Sequence, residues 1–197
     1  LQANWLSEQR RFDEAIDAMK QEQRLLAWAV GERLALMICR SNLAWTLNVA
    51  GRHDEAAELA GALMADPALP RGLSVAGFDL IFALAALGRV GQALEWAQRL
   101  RDRWHLSPLA LHGGPALIRL AAARGRLAEA LRIEGACAAY RRARGLPADA
   151  LAVLTQDHLD RLCADAGIAP DARQRWRDEG EALDAGTCIA LALDGDA

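Results

Sequence analysis

The residues able to do chemistry in this chain are few, and their spacing argues against a reaction. His112-Gly113-Gly114 has the composition of a loop that offers backbone N–H groups to an oxyanion. Such a loop works beside a serine on a Gly-x-Ser-x-Gly turn that follows a strand, and the chain has neither. A flexible link between helices accounts for these residues instead. Asp157, His158, Asp160 and Cys163 crowd one stretch, as metal ligands would, yet His158 adjoins Leu159 and has no second ligand four residues away. Asp157 and Arg161 read as an ordinary i, i+4 surface pair. His53 and His105 fall in turns with no nucleophile to serve. With no nucleophile, base and orienting residue in one place, the expectation is a protein that is not an enzyme and uses no cofactor or metal.

Binding is the chemistry that remains. Counting back six residues from Gly51, Gly88 and Gly125 gives Trp45, Phe82 and Arg119, and counting back ten gives Ser41, Phe78 and Pro115. The two sets lie about one helical turn apart on one face. The expected ligand groove therefore has an aromatic wall of Trp45, Phe78 and Phe82 beside Ser41, with Asn48, His112 and Arg119 as polar anchors for a peptide or effector. The alternative is that a neighbouring helix or further repeats cover these rings.

The elements that must position such a groove are written in a repeated phrase. Gly51-Arg52-His53-Asp54-Glu55-Ala56, Gly88-Arg89-Val90-Gly91-Gln92-Ala93 and Gly125-Arg126-Leu127-Ala128-Glu129-Ala130 recur at a period of 37 residues. Ahead of each glycine stand apolar residues on one helical face: Leu43, Ala44 and Leu47; Leu80, Ile81 and Leu84; Leu117, Ile118 and Ala121. Each copy predicts a leading helix, a glycine turn in the left-handed region, and a trailing helix whose closing alanine lets the pair approach to about 8–10 Å. A degenerate copy, Arg10-Arg11-Phe12-Asp13-Glu14-Ala15, follows Ala3 and Leu6 at the same offsets.

Composition agrees. Hydrophobic residues make up 53% of the 197, with Ala and Leu dominant and one Tyr and three Phe, which favours helix over strand. A net charge of −3 offers no general attraction to nucleic acid, and direct nucleic-acid binding is not expected. The longest apolar run, Leu80 to Leu87, is far short of a membrane span. Cys39, Cys137, Cys163 and Cys188 lack paired spacing and read as buried free thiols in a reducing cytoplasm. Trp5, Trp96, Trp104 and Trp176 read as core fillers, while Trp45 could face either way.

In order, the chain predicts a remnant hairpin to about residue 30 with a break at Gly31, a leading helix over 32–50, and a stop at Asp66-Pro67. Pro70 and Gly72 then keep the connection open. A second hairpin spans 73–104, Ser107-Pro108 reads as a helix start, and a third hairpin ends near Gly145. Beyond it the period is lost. Helices are expected over 148–165, from Pro170 through Trp176, and from Asp184 to about Leu193, with Asp184 as a cap. Leu1 falls inside a leading helix, so the sequence reads as a piece of a longer protein.

The hairpin pattern resembles the tetratricopeptide repeat, with a longer period and without the Trp and Tyr usual in its first helix. That resemblance implies an all-α fold: a right-handed superhelix of antiparallel helical hairpins over 1–146, made of a partial first repeat and three hairpins, with a C-terminal helical cap over 147–197. A second resemblance rests on Ile133-Glu134-Gly135-Ala136, Tyr140, Arg144-Gly145, Gly180-Glu181-Ala182-Leu183-Asp184, Cys188-Ile189 and Ala192-Leu193. This tail is similar to the C-terminal end of large bacterial transcriptional regulators, departing from them at Asp184 and Gly186-Thr187. In those proteins a winged-helix or similar DNA-binding domain and a signal-transduction ATPase precede a helical-repeat region. It implies a cytoplasmic regulatory domain that takes a protein, peptide or small effector on its concave face, with the ATPase and DNA-binding parts upstream in the same chain. A stand-alone adaptor or co-chaperone scaffold is the alternative.

Overall fold

The computed structural model describes residues 6, 11–29, 31–69, 75–101 and 113–194. Among these the chain is all-α, with ten helices and no strand: α1 (Phe12–Trp28), α2 (Arg33–Val49), α3 (His53–Met64), α4 (Val75–Ala86), α5 (Val90–Leu100), α6 (Gly114–Ala123), α7 (Leu127–Ala143), α8 (Ala150–Asp165), α9 (Pro170–Gly180) and α10 (Ala185–Leu193). No helix among the described residues is long and apolar enough to cross a membrane. Pro70, Gly72, His105, Ser107, Pro108, Trp5 and Trp104 lie outside the described residues.

The three phrase glycines stop their helices in one way. Gly51, Gly88 and Gly125 have φ of 75°, 72° and 76°, a region that penalises a residue with Cβ. The following arginine amide reaches back five residues in each copy, Arg52 to Leu47 at 2.8 Å, Arg89 to Leu84 at 2.9 Å and Arg126 to Ala121 at 3.0 Å. These bonds satisfy carbonyls that a helix end leaves unpaired. Ala56, Ala93 and Ala130 are completely buried where the returning helices meet, as small residues at a close crossing must be.

Within each hairpin α2 packs on α3, α4 on α5 and α6 on α7, while the leading helices α2, α4 and α6 also touch in sequence. α4 sits in the middle of this row. Ten of its twelve residues, Ala76 to Ala85, are buried, which explains why its sequence is apolar all round instead of amphipathic. The four cysteines are buried. Burial pushes the thiols of Cys137 and Cys188 up to about 12 and about 11, leaving them protonated and poorly nucleophilic.

The last three helices attach in two directions. α9 packs along α7, with Gly135 against the carbonyl of Arg177 and Gly180 against the carbonyl of Arg132. These pairings run opposite ways along the chain, so the helices are antiparallel, and at both points a Cβ would overlap a backbone oxygen. Arg177 clamps the crossing, donating to Glu134 at 2.5 Å and to Asp160 at 2.6 Å. α10 packs on α6 and α7, its first turn capped by Asp184, which accepts from the Thr187 amide at 2.7 Å. α8 goes elsewhere: besides α6 and α7 it contacts α2. It therefore lies against the row of leading helices instead of only following the last hairpin.

Candidate functional site

Asp149 caps α8, accepting from the Ala152 amide at 2.8 Å. The helix then turns Leu151, Thr155, Leu159 and Cys163 inward at every fourth residue. Thr155, a buried hydroxyl, closes on its own helix by donating to the Leu151 carbonyl at 2.6 Å. This face rests where the sequence places the ligand groove, and it changes what those groove residues are.

Phe78 and Phe82 are 2% and 4% exposed and belong to the main hydrophobic core. They are not an open aromatic wall, because the packed helices cover them. Ser41 and Asn48 are buried too, and Trp45 is half-buried against the same core. His112 lies outside the described residues. The half-buried Arg119 sets its guanidinium carbon 5.8 Å from the centre of the Phe82 ring. Asn48, Phe82 and Arg119 are thus brought together, as part of a covered polar and aromatic junction.

Asn48 organises that junction. Its amide nitrogen donates to the backbone carbonyl of Asp79 at 2.9 Å, which turns its oxygen toward His53 Nδ1 at 3.2 Å. An amide oxygen only accepts, so Nδ1 carries the proton and Nε2 of the neutral ring is left free. The His53 ring lies 5.9 Å from Phe82, tilted by 57°. Arg119 and His53 therefore both border one phenyl ring, from α6 and the start of α3.

The electrostatics show what else faces this junction. Burial lowers the His53 pKa, and Arg119 lowers it further. Burial and then Arg161 lower that of Arg119. His158 is pushed down to about 4, by burial first and then by Arg119, Arg161 and His53. Four groups from α3, α6 and α8 that carry or accept positive charge therefore act on one another. Farther along α4, Asp79 is fully buried, its carboxyl held well above the usual range by burial and then by Asp149. Its Oδ2 has no hydrogen-bond partner among the described residues, which suits an acid that keeps its proton.

Sequence reasoning weighed His158 only as a metal ligand. In the fold the residues crowded around it diverge: Cys163 is buried in the core, Asp160 pairs with Arg177, and His158 feels the charge of Arg119. Arg161 bonds the backbone carbonyl of Asp157 at 3.2 Å. Asp79 is the one charge inside the apolar run Val75–Ala86, a sequence signal for a buried polar group. A cleft of about 590 Å³ with Leu80 and Leu84 on its floor lies away from this junction, between α3 and α5. Two of its arginines are already engaged, Arg89 with Asp54 at 3.0 Å and Arg99 with Glu95, so it presents little unspent charge.

Comparison of the chain with protein-family models, with curated proteins and with solved structures returned no match.

Proposed function

We propose that this chain is a non-catalytic helical-repeat domain that binds an effector or a partner segment along its leading helices. In this reading the hairpins form a right-handed, tetratricopeptide-like superhelix, and α2, α4 and α6 line its concave side. The domain serves as the regulatory C-terminal part of a cytoplasmic bacterial transcriptional regulator whose signal-transduction ATPase and DNA-binding domain lie upstream. The observation that carries the proposal is the seat of α8. An amphipathic helix already rests on the row of leading helices and contacts both α2 and α6, so that surface is suited to a helix or a small molecule. Ligand binding at this seat acts by changing how firmly α8 is held, which gives the upstream ATPase two states to distinguish.

Two experiments test the proposal at separate points. The coding sequence upstream of Leu1 is expected to encode an ATPase preceded by a DNA-binding domain; a short protein without either would overturn the regulator reading and favour an adaptor. In the full-length protein, deleting residues 148–197 is expected to change basal ATP turnover. Turnover identical to that of the intact protein would contradict a regulatory α8.

A further inference from the structure

The proposed function leaves the ligand's chemistry open, and the charges beneath α8 narrow it. Arg119 has no ion-pair or hydrogen-bond partner among the described residues, although it is half-buried and its pKa is lowered by burial. His158 likewise has no hydrogen-bond partner there and is half-buried. A desolvated guanidinium is ordinarily matched by a carboxylate or phosphate, since an unmatched one is costly. Arg52 is matched by Glu55 at 2.6 Å, Arg89 by Asp54 at 3.0 Å and Arg177 by Glu134 and Asp160, whereas Arg161 on α8 bonds only the Asp157 carbonyl among the described residues.

Resting on the effector reading above, we propose that the junction of α3, α6 and α8 is an oxyanion site that takes the carboxylate or phosphate group of a small effector. Arg119 supplies the permanent charge, held by the Phe82 ring. His53 is held by Asn48 through Nδ1, so its free Nε2 becomes a second donor once protonated. His158 and Arg161 supply the α8 side. The charged groups that bear on the two imidazoles from the surrounding elements are Arg119 on α6, Arg161 on α8 and Asp54 on α3. Asp54 alone is acidic, and it is drawn to Arg89. An arriving anion replaces mutual repulsion with attraction, so both histidines take up protons as it binds. Affinity therefore rises as pH falls from 8 to 6, by linkage. Because the groups come from α3, α6 and α8, the anion also fastens α8 to the hairpins.

The probes are inorganic phosphate for the phosphate arm and acetate for the carboxylate arm, each against sodium chloride at matched ionic strength. Thermal melting and the imidazole nitrogen shifts of ¹⁵N-labelled protein are the readouts. At least one anion is expected to raise the melting temperature above the chloride blank, more at pH 6 than at pH 8, and to raise the His158 pKa. Arg119→Gln is expected to abolish both effects, whereas Arg99→Gln, in the cleft between α3 and α5, keeps them. Should Arg119→Gln lose helicity, His158→Gln takes its place and must weaken the pH dependence of binding. Stabilisation no greater than that of chloride at both pH values, or equal in Arg119→Gln, would overturn the oxyanion site. That outcome leaves the regulatory reading to its own tests, the upstream sequence and the turnover of the truncated protein.

Discussion

The hairpin turns and the α7–α9 crossing are both built on glycine, yet they use it in opposite ways. At Gly51, Gly88 and Gly125 it supplies a left-handed φ, and a Cβ built there meets nothing within 4 Å. At Gly135 and Gly180 the backbone is ordinary helix, and the missing Cβ is what lets two helix backbones touch. The turn glycines serve local conformation three times over, so the loss of one is shared by an array. The crossing glycines serve one long-range contact, locked by the ion pairs of Arg177 and by Arg132 with Glu179 at 2.7 Å. A repeat distributes its stability; this crossing concentrates it.

The largest break in that comparison is expected from Gly135→Ala. Its methyl would overlap the Arg177 carbonyl, which backbone geometry cannot relieve without separating the helices. A loss of about 4 kcal/mol is expected in urea denaturation, with Trp176 fluorescence moving as α9 undocks. Stability unchanged in Gly135→Ala would mean that α9 is not held at this crossing.

Asp79→Asn sharpens the comparison from the other side, because the repeated part also contains one concentrated feature. The folded state keeps a proton on Asp79 that the unfolded chain releases above its ordinary pKa of about 3.9. The folded pKa is the raised one, so the cost is absent below about pH 4 and grows as pH rises toward the folded value. Asparagine removes it. The variant is expected to be about 1–2 kcal/mol more stable than the parent at pH 7 and equal to it near pH 4, as thermal melts at the two pH values would show. A variant less stable at pH 7 would place an ionised carboxylate in the native protein.

The smallest effect belongs to the turns. Gly88→Ala is expected to cost about 1 kcal/mol, with helicity retained. A cost as large as that of Gly135→Ala would erase the distinction between a conformational and a contact glycine.

These differences also explain what the sequence made legible. The turn phrase names its own structure because a stop residue, an arginine and a closing alanine act within a few positions of each other. Gly145, with φ of 64°, and the Asp184 cap were readable for the same reason. The register count that joined Trp45, Phe82 and Arg119 was also local in origin, and of these Phe82 and Arg119 converge, with Asn48 beside them through His53. Whether they face solvent is set by how the helices pack, and the inward face of α8, with Leu151, Thr155 and Leu159, fits an end cap or an inner seat equally well. Gly135 and Gly180 were visible in the tail resemblance, but nothing near either residue says that one meets the other's helix. Trp28 is 89% exposed at the end of α1, which its neighbours in sequence do not foretell.

The placement of α8 on the leading helices is the claim on which the site depends. Spin labels at Asn42 on α2 and Leu154 on α8, both exposed, measure it in solution by pulsed dipolar spectroscopy, with the four buried cysteines left unlabelled. The account predicts one narrow distance population, that of neighbouring helices. A population about 20 Å longer, the two further helix spacings that separate α2 from a helix lying beyond α6, would contradict it.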